Sequence, residues 1–502
     1  MGIVIRQSIK GTVVTYIGAF IGFLTTFFVS TKFLTPEEIG LTKTLLDAAL
    51  LLGSVALMGV TSSGVKFFPY FKNEANNNNG FFFYLVSLPF LGCIITFSIA
   101  LLFKGVITDY FSTKAALFVD YFYLVFPLAF FMVYQQVFET YSYILMRITI
   151  PRFIREILVR VITVSIFLLY IFDIIDLDWM IYLFVGCYGI ATLVLFFYIA
   201  RIGSISLKHD TSYVRKPLRK YAYSFTGYMI LASIGGGIVA KIDTFMLSAY
   251  SGLVSTGIYS IAFYMANIIE IPSRSLNSIS MPLLSAHIKE KKQTEAENLV
   301  KKVSLNQFLI GTFVFVLLWV NIENIFAVLP NGEDIYKQGK MVVFFLGLAR
   351  LADMVGNFSF SALSISKYYY YTLYFVLFLS VLTILSNKLL IPIMGMTGAA
   401  LSTFLAFFIY NSIIIFLVKK KLKFTPFSWG IFKVFILTVC VLGLNLLIPV
   451  CSNPYLDAVI RTIILNGLFL VVMYFGKISP DANKVIETFV QKGLAYLGIR
   501  NK

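Results

Sequence analysis

Long apolar runs recur along the whole chain, and they constrain its fold more than any other feature of the sequence. A run of about 20 apolar residues is long enough to cross a bilayer as an α-helix. The segments between the runs are short and polar, so no soluble domain is expected between them. We predict an all-α membrane protein with fourteen transmembrane helices, at about 11–33, 40–67, 81–104, 118–141, 151–172, 179–201, 221–249, 256–284, 303–328, 340–366, 369–391, 396–418, 429–449 and 457–476.

The composition agrees with a membrane protein and argues against nucleic-acid binding. Of the 502 residues, 59% are hydrophobic and only 13% are charged, whereas roughly a quarter are charged in a soluble domain. The net charge of +17 comes mainly from Lys and Arg in the short segments between apolar runs. This is the pattern that orients helices in a bilayer, and it predicts that both termini are cytoplasmic. We therefore expect no nucleic-acid partner.

Histidine and cysteine offer little for metal or cofactor chemistry. The two histidines, His209 and His287, fall in predicted loops, and the four cysteines show no CxxC spacing. A buried metal centre would need several such ligands close together. We expect no metal and no cofactor.

The stretch 221–292 departs from the pattern of apolar spans because it carries ionisable side chains within them. Lys241 and Asp243 lie in its first helix, and Glu270 and Arg274 lie in its second. An ionisable side chain at membrane depth costs at least ~2.5 kcal/mol, so it persists mainly where it faces protein or a watery cavity. We interpret the two helices as one wall of a central transport path.

A short internal repeat indicates that the chain consists of two similar halves. The segments FLTPEEIGLTK (33–43) and YSGLVSTGIYS (250–260) align without gaps, so that Gly40 coincides with Gly257. Six predicted spans separate them, as duplicated six-helix halves require. We place an N-terminal lobe at 1–205, a C-terminal lobe at 206–424, two additional transmembrane helices at 425–478, and a cytoplasmic amphipathic tail at 479–502. Ser479-Pro480 predicts the start of a helix in that tail.

Three segments carry a family resemblance. They are KIDTFMLSAYSGLVSTGIYSIA (241–262), MPLLSAHIKE (281–290) and IPIMGMTGAALSTFLAFF (391–408). With their basic-x-Asp, Gly-x-Tyr and Gly-Ala-Ala elements, the chain resembles polysaccharide transporters of the multidrug/oligosaccharidyl-lipid/polysaccharide exporter superfamily. Within it, the chain is most similar to flippases for lipid-linked O-antigen or capsule repeat units, the former being lipopolysaccharide precursors.

The resemblance implies a fold, a cargo and a location. Such proteins have two pseudo-symmetric six-helix lobes arranged as a V, and they work by alternating access in the bacterial plasma (inner) membrane. The implied cargo is an oligosaccharide linked to an isoprenoid diphosphate of the undecaprenyl type, moved from the cytoplasmic to the outer leaflet. The implied driving force is an H⁺ or Na⁺ gradient. Polysaccharide polymerase, glycosyltransferases of the same pathway and membrane lipids are the other expected partners.

Three basic residues within predicted spans are candidates for binding the diphosphate: Lys241, Arg274 and Arg350. A diphosphate brings negative charge into a medium of low dielectric constant, which calls for cations there. The alternative is structural. Glu270 and Arg274 are four residues apart, and Arg350 and Asp353 are three apart, so each pair could neutralise itself on one helix face. Lys241 could instead extend toward the outer surface.

Four carboxylates within predicted spans are candidates for coupling transport to a cation gradient: Asp47, Asp243, Glu270 and Asp353. A buried carboxylate can bind and release a proton as its surroundings change. The alternative is again a satisfied ion pair, and Asp47 has only Lys43 as a local partner.

Two other functions compete with a flippase. A membrane-embedded polysaccharide polymerase or glycosyltransferase would need a sizeable outer loop or paired acidic residues, and the segment 322–339 offers only Glu333-Asp334. A drug/cation antiporter of the sister branch is the nearer alternative, but fourteen spans and the Gly-Ala-Ala element argue against it. We therefore expect a transporter rather than an enzyme.

Overall fold

The protein is helical throughout the residues that its computed structural model describes, which are 2–73, 78–202, 205, 216–484 and 486–488, and these residues contain no strand. The predicted all-α fold is confirmed. The α-helices are α1 (Gly2–Leu24), α2 (Thr31–Phe33), α3 (Pro36–Ala56), α4 (Val60–Phe71), α5 (Phe81–Leu102), α6 (Lys104–Ser112), α7 (Ala116–Asp120), α8 (Val125–Ile144), α9 (Thr149–Phe153), α10 (Val159–Ile171), α11 (Leu177–Ile202), α12 (Lys216–Asn267), α13 (Ile271–Lys289), α14 (Gln293–Val320), α15 (Ile322–Val328), α16 (Lys340–Ile365), α17 (Tyr371–Leu422), α18 (Trp429–Asn445), α19 (Pro454–Arg461) and α20 (Gly467–Phe475).

Ten helical stretches among the described residues are long and apolar enough to cross a membrane, so the chain is a multi-pass membrane protein. The predicted count of fourteen is not confirmed. Two stretches, Lys220–Asn277 and Tyr371–Leu422, have 58 and 52 residues, more than twice the length of about 20 that one span needs. The predicted span at 429–449 is the shorter apolar helix α18.

A single glycine interrupts each of the two longest helices. In α12, Gly252 has φ 88° and ψ 171°, and in α17, Gly395 has φ 56° and ψ −132°. Residues with a side chain adopt such a positive φ only at a cost, whereas glycine does so readily. The sequence places connections between predicted spans near both positions, and there the structure has a break within a continuous helical stretch.

The start of α3 is determined locally by its sequence. Thr35 and Glu38 form a capping box, in which the Glu38 carboxylate accepts from the Thr35 backbone N–H at 2.8 Å and the Thr35 hydroxyl accepts from the Glu38 backbone N–H at 3.3 Å. Pro36 occupies the first turn, where its missing N–H costs nothing. These residues define where α3 begins. They therefore also define the position of Asp47 along the helix, three turns further on.

The described chain divides into two compact units, of which the first contains residues 1–260 and 379–399. Within it, α8 packs against both α3 and α11. Leu45, Leu128 and Ile181, one from each of these helices, are fully buried. This first unit contains Asp47, Lys241 and Asp243.

The second unit contains residues 261–378 and 400–502. Its central helix is α14, which packs against α13, α16 and α18. Phe315, Val434 and Phe469 belong to its apolar core. The unit contains Glu270, Arg274, Arg350 and Asp353. The lobe boundaries at 1–205 and 206–424 stay a prediction, because they describe a sequence repeat and not these units.

The C-terminal segment is helical from Pro480, as Ser479-Pro480 predicts. The Ser479 hydroxyl accepts from the backbone N–H of Ala482 and donates to Asn306 of α14 at 2.7 Å. Lys302 and Asn306 both bind the Asp481 carboxylate, at 2.9 Å each. Although partial burial opposes it, these contacts lower the pKa of Asp481. The rest of the predicted amphipathic tail, beyond residue 488, lies outside the described residues.

Candidate functional site

Asp47 lies at the centre of a charged cluster in the first unit. It is fully buried on α3, and its carboxylate contacts Lys43 Nζ at 2.9 Å and Lys241 Nζ at 3.1 Å. Lys43 is the local partner that the sequence predicts, whereas Lys241 comes from α12. Two ammonium groups share one carboxylate, so the three residues keep one net positive charge. Lys241 therefore has a partner in the protein, in addition to any substrate.

Polar contacts join α3 to the first part of α12 on both sides of this cluster. The Thr44 and Ser248 hydroxyl oxygens are 2.7 Å apart, and the Ser233 hydroxyl donates to the backbone carbonyl of Ser54 at 2.9 Å. In an apolar medium such contacts are among the interactions that hold helices together. The two helices run antiparallel along this seam, which fixes the height of Lys241 relative to Asp47.

Gly40 and Gly257, the two glycines that the repeat aligns, each contact the segment that contains the other. A β-carbon at Gly40 would collide with the carbonyl oxygen of Leu253, and one at Gly257 would collide with that of Pro36. The alignment that pairs Gly40 with Gly257 also pairs Pro36 with Leu253. The two contacts are therefore equivalent under the repeat, and only glycine allows the backbones to approach so closely.

A cavity of about 230 Å³ lies beside Lys241 in the first unit. Ser54, Gln136, Ser233 and Lys241 contribute its polar groups, and the remaining wall is formed by small and apolar residues of α3, α8 and α12. A cavity with one ammonium group and three neutral polar side chains suits a small anionic or polar group.

Asp243 has a partner that the sequence analysis missed. Its carboxylate accepts a hydrogen bond from the Asn387 amide at 2.6 Å, across 144 residues of sequence. Asn387 is fully buried, and its amide oxygen has no hydrogen-bond partner among the described residues. A polar residue within an apolar run, as Asn387 is, was the available signal. Which helix it would face was not readable from the sequence.

Glu270 lies at the centre of the second cluster, which belongs to the second unit. Its carboxylate contacts Arg274 Nε at 3.2 Å and Arg350 Nη1 at 3.2 Å. Arg350 also donates to the Asn267 side-chain oxygen at 2.8 Å, and its guanidinium lies 5.7 Å from the centre of the Phe263 ring. One carboxylate again serves two cations. The pairing of Glu270 with Arg274 that the spacing allows is present.

The two arginines of this cluster differ in exposure. The Arg274 side chain is 69% exposed, whereas that of Arg350 is 18% exposed. Among the described residues, Arg350 uses both terminal nitrogens within the protein, whereas Arg274 makes its contact through Nε alone. The N–H groups of Arg274 that point away from Glu270 are therefore the ones available to a ligand.

Asp353 is not the partner of Arg350 that its spacing suggests. It accepts hydrogen bonds from the Asn357 amide at 3.1 Å and the Asn411 amide at 3.3 Å, while Arg350 pairs with Glu270. The described residues show no direct ion pair between Arg350 and Asp353, although the Arg350 charge still acts on the Asp353 carboxylate. Tertiary packing decides the partner, because Arg350 faces the Glu270 segment rather than its own helix.

A further charge network in the first unit was missed by the sequence analysis. Arg155 binds Glu139 at 2.8 Å and Glu156 at 3.2 Å, and Glu156 also binds Arg160 at 3.1 Å. Arg160 donates to the backbone carbonyl of Gly18 in α1. The network contains equal numbers of arginines and carboxylates and ties α1, α8 and α10 together, which is a structural role.

A multi-pass helical fold with ionisable side chains inside its apolar helices is typical of membrane transport proteins. The chain belongs to the family of polysaccharide biosynthesis proteins, whose family model matches residues 4–287, more than half of its length. This confirms the family expected from the sequence. No curated protein sequence matches the chain.

Solved structures share its fold at low sequence identity. One is the lipid II flippase MurJ in an inward closed conformation, with a TM-score of 0.68 and 12% identity over 93% of this chain and 99% of that one. Another is an inward-facing multidrug resistance MATE family transporter of the MOP superfamily, with a TM-score of 0.60, 12% identity, and coverage of 80% and 94%. A MOP superfamily transporter from Pyrococcus furiosus has a TM-score of 0.52, 11% identity, and coverage of 84% and 95%. These similarities concern the fold.

Proposed function

We propose that this protein flips an isoprenoid-diphosphate-linked oligosaccharide from the cytoplasmic to the outer leaflet of the bacterial plasma membrane by alternating access. The family is one of polysaccharide biosynthesis proteins, and the fold is shared with a lipid II flippase. The two lobes predicted at 1–205 and 206–424 are the bodies that alternate. Both termini are cytoplasmic in this proposal, in line with the distribution of Lys and Arg. O-antigen and capsule precursors are the cargo class.

The observation that carries the proposal is the sharing of Glu270 by Arg274 and Arg350. Glu270 pairs with both arginines, so these three residues together carry one net positive charge, and the nearby Asp353 is held by Asn357 and Asn411 and not by a direct ion pair. A diphosphate supplies the missing negative charge. Arg274 presents its free N–H groups and binds two phosphate oxygens at once, while Arg350 is held by Glu270 and Asn267 and adds charge behind it.

Lys241 is a second basic residue for the substrate. Its ammonium group lies at the wall of the cavity of about 230 Å³, and the cluster that it forms with Lys43 and Asp47 also carries one net positive charge. A phosphate or a sugar hydroxyl entering the cavity meets this ammonium group. Asp47 holds Lys241 in place when the cavity is empty.

Cation coupling is assigned to the carboxylates at these sites. Asp243 is the first of them, because its single carboxylate lies next to the unpartnered amide oxygen of Asn387, and together they offer oxygen ligands for H⁺ or Na⁺. The other three carboxylates are those of Asp47, Glu270 and Asp353. When one of them gains or loses a cation, its contacts with its basic or amide partners change, and this change links cation binding to transport. Substitution of each by Asn or Gln slows transport in this proposal.

The experiment compares paired substitutions at the candidate site and elsewhere. A strain lacking the native gene is complemented with each variant at matched membrane levels, and its surface polysaccharide is measured. Glu270→Met with Arg274→Met removes both members of the candidate pair. Glu297→Met with Lys301→Met is the matched control, because that pair has the same i,i+4 spacing and lies at 2.8 Å on α14.

We expect the Glu270/Arg274 double variant to abolish export and the control to retain it, with both proteins folded and inserted. Arg274 is largely exposed, so its ion pair contributes little to stability. Glu270→Met also removes the carboxylate partner of Arg350, which keeps its hydrogen bond to Asn267, so we expect a moderate loss of stability, and thermal unfolding shows whether the variant is folded. Lys241→Met with Arg274→Met tests the second basic residue in the same assay. Normal polymer from that variant would refute the diphosphate site.

A further inference from the structure

Five exposed lysines lie close together in the second unit, where α17 begins and ends. Lys367 lies in the turn before α17, Lys419, Lys420 and Lys421 lie in its last turn, and Lys423 is its C-cap residue. We call these five residues the lysine patch. The bias of Lys and Arg along the chain predicts that this side of the membrane is cytoplasmic. The patch belongs to none of the clusters assigned above to the substrate or the coupling cation.

The carboxylates of the described residues do not pair with the lysine patch. Within the described part of the chain, none of the five forms an ion pair with a carboxylate. Other lysines of the same unit do: Lys292, Lys301 and Lys302 contact Glu290, Glu297 and Asp481 at 2.7, 2.8 and 2.9 Å. The patch is therefore a concentrated positive charge that calls for an anion.

A tyrosine brings two of the lysines together. The Lys367 and Lys421 ammonium groups lie 5.1 Å and 5.6 Å from the centre of the Tyr368 ring. An ammonium group is attracted to the face of an aromatic ring, so Tyr368 restrains two flexible side chains at one place. Tyr368 packs in turn near Tyr371, with ring centres 6.4 Å apart. Two restrained ammonium groups suit a phosphate better than two freely moving ones.

Exposed aromatic side chains follow the patch closely in the sequence. Phe427, Trp429 and Phe432 are 56%, 72% and 50% exposed, and Trp429 stacks on Phe432 with ring centres 5.1 Å apart and an angle of 16°. Aromatic residues of this kind lie at membrane interfaces, with their apolar body toward the acyl chains. The positive patch and the aromatic surface together match a molecule with an anionic head and an apolar tail.

The helix end alone does not account for the patch. Lysines in a last turn stabilise the helix dipole, which suffices to explain Lys419, Lys420 and Lys421. It does not explain why Lys367, from another segment, shares the Tyr368 ring with Lys421. We propose that the lysine patch is a binding site for an anionic glycerophospholipid of the inner leaflet. Lys367 and Lys421 hold its phosphate, the other three lysines add attraction, and Trp429 and Phe432 contact its chains.

The experiment measures lipid binding to the purified full-length protein by native mass spectrometry. The probes are phosphatidylglycerol, phosphatidylcholine, undecaprenyl diphosphate and inorganic phosphate. We expect the wild-type protein to prefer phosphatidylglycerol over phosphatidylcholine. Each lysine near an anionic surface contributes ~1 kcal/mol, or about fivefold in affinity. Replacing Lys419, Lys420 and Lys421 by Gln should therefore weaken phosphatidylglycerol binding about a hundredfold.

Two further variants separate a site from general attraction. Replacing Lys292, Lys301 and Lys302 by Gln removes the same charge from paired lysines, and we expect less than a fivefold loss. Tyr368→Leu leaves the charge unchanged, and we expect a several-fold loss because Lys367 and Lys421 are no longer restrained. Thermal unfolding without lipid shows that each variant is folded.

Several results would overturn the proposal. One is equal binding of the two phospholipids by the wild-type protein, and another is an equal loss in the two triple variants. Unchanged binding by Tyr368→Leu would reduce the patch to general electrostatic attraction. Displacement of phosphatidylglycerol by undecaprenyl diphosphate or by inorganic phosphate at equal concentration would assign the patch to that anion instead. Export activity is not needed for any arm, so the result does not depend on the proposed transport function.

Discussion

The cluster of Asp47, Lys43 and Lys241 makes a prediction whose sign depends on the background in which it is tested. We consider Asp47→Asn in the wild-type protein and in a variant that carries both Lys43→Met and Lys241→Met. Asp47 is fully buried, and the lysines are its two ion-pair partners, at 2.9 and 3.1 Å. The same substitution therefore removes a satisfied charge in one background and a stranded charge in the other.

The expected magnitudes follow from burial. A buried charge whose partners are removed destabilises a protein by ~3–5 kcal/mol, so the double lysine variant should be clearly less stable than the wild type. Adding Asp47→Asn to it removes the stranded carboxylate and should restore ~2–3 kcal/mol. In the wild type, Asp47→Asn leaves two ammonium groups whose side chains are 24% and 15% exposed. They can reach a more polar position, so the loss there should be only ~1 kcal/mol.

Unfolding of the purified proteins in detergent, followed by tryptophan fluorescence, measures these differences. The order of the thermal midpoints is sufficient, because the prediction concerns sign. Asp47→Asn should lower the midpoint of the wild type and raise that of the double lysine variant. A lower midpoint in both backgrounds would refute the three-residue cluster. Since the triple variant is expected to be stable, its export activity then reports on the transport role of these charges alone.

Three other predictions use the same assays. Gly40→Ala should lower the thermal midpoint by the equivalent of ~1–3 kcal/mol, because its β-carbon meets the backbone of Leu253. Gly236→Ala is the control: no atom lies within 4 Å of its β-carbon, so this substitution should raise the midpoint slightly. Equal shifts of the two midpoints would contradict the close contact at Gly40. Arg274→Lys should reduce export with little change in stability, since the side chain is 69% exposed and an ammonium group does not bind two phosphate oxygens side by side. Wild-type export by this variant would argue against a two-oxygen contact. Asn387→Ala should cost ~1.5–3 kcal/mol by removing a hydrogen bond to the buried Asp243, and an unchanged midpoint would exclude that bond.

Local features of the protein were predictable from its sequence. Apolar runs of about 20 residues define membrane helices whatever their neighbours are, so the all-α membrane fold followed directly. The Glu270–Arg274 pair was also predictable, because residues four apart on one helix are neighbours. The motif at 241–262 and most of the motif at 281–290 lie within the region that the family model matches, and they indicated the family.

Contacts between distant segments were decided by the tertiary structure. Asp47 pairs with Lys241, Asp243 with Asn387, and Arg350 with Glu270 rather than with Asp353. Helices in lipid are apolar on most faces, so hydrophobic periodicity does not show which face meets which neighbour. The span count of fourteen stays a prediction, although the sequence places connections near Gly252 and Gly395, where the two longest helices break. The sequence determines which segments enter the membrane and which charges they carry, and helix packing decides which of those charges meet.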